Sequence, residues 1–186
     1  MENKAREIFQ KALGMKPIKL SDDVKRHYDK YWKLSIKFFE ESDFALASFF
    51  AITLIEEVGK LTIMRIESLG GKFDKKGFYN HHQKYRYAAY DNLIVNSRVT
   101  RIYGNDESKF AELIKKDELF KIRNNALYLE NGMIVPENVV SRDTAFLLVC
   151  FAGEIYAEIQ GFTTGTGPDD WQRILEEVDE FRKTNE

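Results

Sequence analysis

The sequence predicts an all-α bundle built round one long apolar helix, and three observations carry that expectation. The only three prolines, Pro17, Pro136 and Pro168, all fall where periodic segments end. The run from Phe44 to Ile55 is apolar nearly all the way round, which suits a helix at the centre of a bundle with neighbours on most sides. A length of 186 residues with 44% hydrophobic and 13% aromatic content supplies one core, hence a single domain over 1–186 that needs no staples.

Taken in order, a first segment over about 3–13 stops at Gly14-Met15-Lys16-Pro17. A second helix opens at Ser21, a good N-cap followed by Asp22 and Asp23 at the positive end of the dipole, and runs to about Glu41. Ser42-Asp43 starts the central helix, which reaches Leu69 before a loop marked by Gly70, Gly71 and Gly77. A fourth helix is expected over about 79–103, ended by the turn Gly104-Asn105-Asp106. Glu107 to about Tyr128 follows, with a break near Lys116-Asp117. Asn131-Gly132 and Pro136 make a loop in which Met133 to Val135 form a short extended piece. A sixth helix over about 141–160 precedes the glycine-rich stretch 161–168, and a last one spans about 169–183. There is no internal repeat and no low-complexity tract.

Charge and cysteine usage narrow the function classes. With 28 basic and 30 acidic residues the formal charge is -2, which argues against a globally basic nucleic-acid binder, so any RNA contact must come from a local patch. The lone Cys150 sits in the apolar run 145–152, where a buried structural thiol is expected. The charged N-terminus leads into no secretory apolar region. The longest apolar stretch, interrupted by Ser48 and Thr53, suits a buried helix better than a membrane span of roughly 20 residues. A cytoplasmic protein without membrane attachment is the expectation.

Three groups of residues are candidates for chemistry. Thr53, Glu57 and Lys60 recur at i, i+4, i+7 and share one face of the central helix, as an internal ion pair or as a stripe that supports a site. The segment 72–90 gathers Lys72, Lys75, Lys76, Lys84 and Arg86 with His81, His82 and four tyrosines. Cations for phosphates interleaved with rings for bases are what a single strand needs, although a solvated helix face would look the same. The third group is Lys121-Ile122-Arg123-Asn124-Asn125-Ala126-Leu127-Tyr128, whose arginine and carboxamides are costly to bury unpaired and should face a cleft, a partner or solvent. No Glu-x-x-His, His-Glu-x-x-His, cysteine pair or phosphate-binding glycine loop occurs, so neither a metal nor a cofactor is expected.

The stretch Ala51 to Lys60, then His82 with Lys84, then Arg123 to Glu130, and finally Pro136 before the helix start at 141–145, together resemble the AbiV-type abortive-infection proteins of the HEPN superfamily. The likeness covers about 21–160. It implies a HEPN-like bundle with added N- and C-terminal helices, and a bacterial phage-defence protein that halts growth of infected cells. It also implies a homodimer whose motifs meet in one cleft. Many HEPN proteins are metal-independent RNases carrying Arg-x(4 to 6)-His, often with a polar residue after the arginine. Arg123 and Asn124 fit the first half, but Tyr128 stands where the histidine belongs, and neither His81 nor His82 is part of that motif.

The site expected from the resemblance is therefore Arg123, Asn124 and Tyr128 for catalysis, His82, Lys84, Arg86 and Lys121 for RNA, and Glu57 with Lys60 in support. A phenol with pKa about 10 is ionised in roughly one molecule in a thousand at pH 7, so Tyr128 is a poor base. RNA cleavage, or binding of RNA or the translation machinery, are the implied activities. The competing class is a non-catalytic module that recognises a phage or partner protein, or a member of a toxin-antitoxin pair.

Overall fold

A computed structural model describes residues 20–68, 72–90, 93–127, 140–163 and 167–186. Among them the chain forms nine helices and no strand: α1 Asp22–Glu40, α2 Phe44–Ser68, α3 Lys75–Tyr79, α4 His81–Tyr90, α5 Leu93–Tyr103, α6 Asn105–Lys115, α7 Glu118–Asn125, α8 Arg142–Thr163 and α9 Gly167–Asn185. The expected first segment at 3–13, the loop with its extended piece at 131–136 and Tyr128 lie outside the described residues.

Local chemistry sets the ends of these helices. Ser21 Oγ accepts from the Val24 N–H at 3.4 Å and Asp22 and Asp23 fill the first turn of α1. Its buried positions Tyr28, Trp32, Ser35 and Phe39 recur at helical spacing. Asp43 Oδ1 accepts from the Leu46 N–H at 2.9 Å and starts α2 where Ser42-Asp43 predicted it. The break expected near Lys116-Asp117 is present, with Asp117 in the left-handed region at φ 59° between α6 and α7.

The single helix expected over 79–103 is instead interrupted at Asn80, with α4 and α5 beyond it. Asn80 is extended (φ -99°, ψ 118°) and its side chain accepts from the Gln83 N–H at 3.0 Å, so one polar residue stops α3 and caps α4. Asp74 likewise caps α3 through the Gly77 N–H at 2.9 Å, making a helical turn of what the glycines suggested was loop. The stretch expected to be loop at 161–168 is shorter as well, because α8 continues to Thr163 and α9 begins at Gly167.

Helix α2 is central as predicted, packing against α1, α4, α7 and α8. It shares the role with α8, which is buried from Leu147 to Ile159 and packs on α9. Cys150 lies inside this helix and its thiol pKa is pushed up to about 12, chiefly by burial. Gly153 lets Trp32 and Val178 meet the backbone of α8, and the Trp32 indole donates to Glu177 at 3.0 Å, tying α1 to α9. Arg98 of α5 clamps Glu154 at 2.8 Å and Asp179 at 2.7 Å, so α5, α8 and α9 are cross-linked. Among the described residues no helix is long and apolar enough to cross a membrane.

Candidate functional site

The acid at the centre of the site is Glu56, one residue from the expected Glu57. Glu56 is only 5% exposed, and three cations or potential cations approach its two oxygens. Lys84 Nζ lies 2.6 Å from Oε1, His81 Nδ1 lies 2.8 Å from Oε2, and Arg123 Nε lies 3.7 Å from that same Oε2. Burial alone would raise the Glu56 carboxyl pKa. The hydrogen bonds and charges of Lys84 and His81 outweigh it and hold the carboxyl below its ordinary range. Tyr85 is wholly buried beside the cluster, and burial with the Glu56 charge pushes its phenol pKa well up.

Each side chain is placed by a separate helix. Glu56 comes from the middle of α2, His81 and Lys84 from adjacent turns of one face of α4, and Arg123 from the last turn of α7. The approach of α4 to α2 depends on Gly59: a Cβ there would lie 2.6 Å from the carbonyl carbon of Lys84 and 2.9 Å from its Cα, and closer still to its oxygen. Glycine is what lets the two backbones come near enough for Lys84 to reach Glu56. On the other side, Phe120 packs on the His81 ring at 5.1 Å and the Arg123 guanidinium lies over Phe49 at 5.5 Å. The terminal nitrogens of Arg123 make no hydrogen bond among the described residues, so they are the part of this side chain left for a ligand.

The remaining predicted residues divide between this cluster and its surroundings. Glu57 and Lys60 do pair, at 2.5 Å, but their side chains are 25% and 29% exposed, so the pair is partly solvated. Tyr28 donates to the Glu57 carbonyl at 3.4 Å. The phenol of Tyr31 on α1 has a raised pKa from burial and the Glu57 charge, and the charges of Lys60 and Arg123 oppose that rise. His82 is half-buried, its Nδ1 3.2 Å from Asp117 Oδ1, the left-handed residue that opens α7. Lys84, expected on a solvent-facing RNA surface, is 4% exposed and committed to Glu56. Lys121 is exposed and paired with Glu118 at 2.9 Å, on the far side of α7 from Arg123. Asn124 is half-buried, and its carbonyl accepts from the Leu127 N–H at 3.1 Å, so the chain tightens just past α7.

Arg86 is exposed, as are Lys72, Lys75 and Lys76, and none of the four makes an ion pair among the described residues. Most other surface cations do pair, including Lys25, Lys33, Lys37, Lys109, Lys115 and Lys116 with acids one turn away. The one acid in that segment, Asp74, is turned inward to the Gly77 N–H and the Tyr87 hydroxyl. Tyr79 beside these lysines is 72% exposed.

A family model described as AbiV, of the HEPN class, matches residues 18–157. The chain belongs to the AbiV family. No curated protein and no solved structure matches it. The AbiV match spans α1 to most of α8, and so includes every helix that contributes to the Glu56 cluster. A cavity of about 380 Å³ between α6, the start of α8 and the end of α9, lined by Lys109, Leu113, Arg142 and Phe146, holds none of the predicted site residues.

Sequence reasoning missed Glu56, and it placed His81 in the basic aromatic segment 72–90 without assigning it to the site. The signal for Glu56 was Gly59 within the long helix, since an interior helical glycine marks close approach by another element and the acid almost one turn earlier faces the same neighbour.

Proposed function

We propose that this AbiV-family protein halts the growth of infected bacterial cells by acting on RNA at the Glu56–Arg123 cleft, as a homodimer in which two copies bring their clefts together. The observation that carries the proposal is the convergence of Arg123, His81 and Lys84 on one buried carboxylate. It leaves a net positive, partly open site whose arginine has unengaged terminal nitrogens. A phosphodiester in transition carries extra negative charge, and a fixed guanidinium in a partly dry site is suited to it. Exposed Lys72, Lys75, Lys76 and Arg86, which make no ion pair among the described residues, supply with exposed Tyr79 a path for the rest of a strand. The fold suits this use because α4 and α7 both pack on α2 and each of the three brings a side chain to the cluster.

One observation favours a second reading. Glu56 already neutralises part of the positive charge beside Arg123, as suits a contact with a phage protein, a partner or an antitoxin made without chemistry. The two are separated by expressing wild type and Arg123→Ala and by incubating each purified protein with total RNA and chelator. RNA action predicts discrete fragments or a stable RNA complex from wild type, neither from Arg123→Ala, and no growth arrest by the variant. Growth arrest that needs Arg123 with no RNA bound or cut would support the interaction module. A sedimentation mass of one chain at micromolar concentration would refute the dimer.

A further inference from the structure

We infer that His81, from outside the Arg-x(4 to 6)-His pattern, is the general base of RNA cleavage at this cleft, with Glu56 as its positioning residue. The inference rests on the RNA-cleavage form of the proposed function. The missing motif histidine leaves that chemistry without a proton acceptor in α7, and the fold brings one from α4. His81 Nδ1 and Arg123 Nε approach the same Glu56 oxygen, at 2.8 and 3.7 Å, so an imidazole stands beside the arginine although 42 positions separate them in sequence.

The geometry also fixes which nitrogen is available. An ionised carboxylate only accepts hydrogen bonds, so Nδ1 carries the proton donated to Glu56 and the neutral ring presents its lone pair at Nε2. Nε2 has no partner among the described residues, and the His81 side chain is 37% exposed. Phe120 packs against the ring at 5.1 Å, so the imidazole is held at one edge and by a neighbouring ring while the opposite edge stays free. A carboxylate that fixes tautomer and ring direction is the arrangement by which a histidine is made a directed base. The other charged groups round it are Lys84 on Glu56 Oε1, Arg123, and Asp117, whose Oδ1 lies 3.2 Å from His82 Nδ1.

In the step assigned here, Nε2 takes the proton of the RNA 2′-hydroxyl and the 2′ oxygen bonds to phosphorus. The bond from phosphorus to the 5′ oxygen breaks, that oxygen takes a proton from water, and the imidazolium returns its proton to solvent. The products are a 2′,3′-cyclic phosphate end and a 5′-hydroxyl end, with no oxidant, reductant or other co-reactant. Arg123 faces the phosphoryl oxygens while the charge builds.

The test uses the full chain, total RNA and chelator, with fragment ends analysed for cyclic phosphate. His81→Asn retains an N–H able to donate to Glu56 and so keeps the fold, but it has no basic nitrogen. Its cleavage rate should fall about 10²-fold or more. His81→Ala should fall as far and regain at least tenfold when imidazole is added, which a purely structural role would not allow. In the wild type, nitrogen-15 NMR should find the neutral His81 ring protonated at Nδ1. Cleavage by His81→Asn within about threefold of wild type, or a ring protonated at Nε2 instead, overturns the assignment of the base while leaving RNA cleavage standing. Wild type that leaves RNA intact overturns the cleavage reading and this inference with it.

Discussion

Replacing Gly59 by alanine tests whether the meeting of α2 and α4 builds the site. The new methyl carbon would stand 2.6 Å from the Lys84 carbonyl carbon and 2.9 Å from its Cα, where ordinary contact is 3.4–4 Å, so α4 must retreat by roughly 1 Å. The obstacle is backbone and cannot rotate away. A retreat of that size takes the Lys84–Glu56 and His81–Glu56 contacts from 2.6 and 2.8 Å to beyond hydrogen-bond length. Overpacking costs about 1–3 kcal/mol, and alanine returns about 1 kcal/mol as the better helix former. Weakening the partners of a buried carboxylate adds a share of the roughly 3–5 kcal/mol that outright loss of one would cost. The net is about 2–4 kcal/mol, or a fall in Tm of roughly 5–15 °C for a domain of this size. Circular dichroism melts and a growth-arrest assay well below both melting temperatures measure it. Gly153→Ala is the control, since its Cβ meets Trp32 and Val178 on the far side of the core and should lower Tm while leaving activity per folded molecule intact. If Gly59→Ala melted within about 2 °C of wild type and still arrested growth, the close approach at Lys84 would not be what assembles the site.

Glu57→Gln should lower stability by less than about 1 kcal/mol in chemical denaturation, because the Glu57–Lys60 pair is partly solvated, whereas Glu56→Gln should cost several-fold more. Glu158 is buried, and burial raises its carboxyl pKa to about 7, against the opposing hydrogen bond from the Trp171 indole at 2.8 Å. The folded state therefore holds a proton that the unfolded chain has released, so stability falls as pH rises from about 4.5 to 7, by as much as about 3 kcal/mol. Glu158→Gln should remove that fall when unfolding free energies at pH 5 and pH 8 are compared. The double variant Lys75→Glu, Lys76→Glu should keep the wild-type Tm and weaken binding of a labelled single-stranded RNA at least tenfold, with a shallower salt dependence; unchanged binding would take this surface out of the RNA path.

Several helix ends were legible where a side chain caps the backbone within the chain's own neighbourhood. Ser21 and Asp43 are of that kind, and the Lys116-Asp117 break was legible without a side-chain cap, where Asp117 turns left-handed. The split at Asn80 was not, because apolar and aromatic residues recur at helical spacing on both sides of it and only the extended torsion of one asparagine interrupts them. Arg123 was legible as a residue too costly to leave unpaired. Its partner was not, since Glu56 and Glu57 are adjacent on a helix that is apolar nearly all round, where periodicity cannot say which acid turns inward. Lys84 shows the same limit from the other side. A lysine among tyrosines suggested a phosphate contact, and what draws it inside is a carboxylate 28 positions away that no local pattern announces.

The AbiV match ends at residue 157, but the cooperative unit of the protein does not. Ile174, Leu175, Val178 and Phe181 of α9 are buried in the common core, and Glu177 and Asp179 hold Trp32 and Arg98. A helix held in this way has no cheap route to open alone, because peeling it off exposes four apolar side chains and takes one partner each from Trp32 and Arg98 at once. Its amide protons are therefore coupled to the same rare global excursion as those of α2 and α8, and hydrogen exchange should report one protection free energy across all three. The segment beyond the family boundary thus behaves as a keystone, and a protease that clips the chain near residue 165 would release two pieces that each lose their fold.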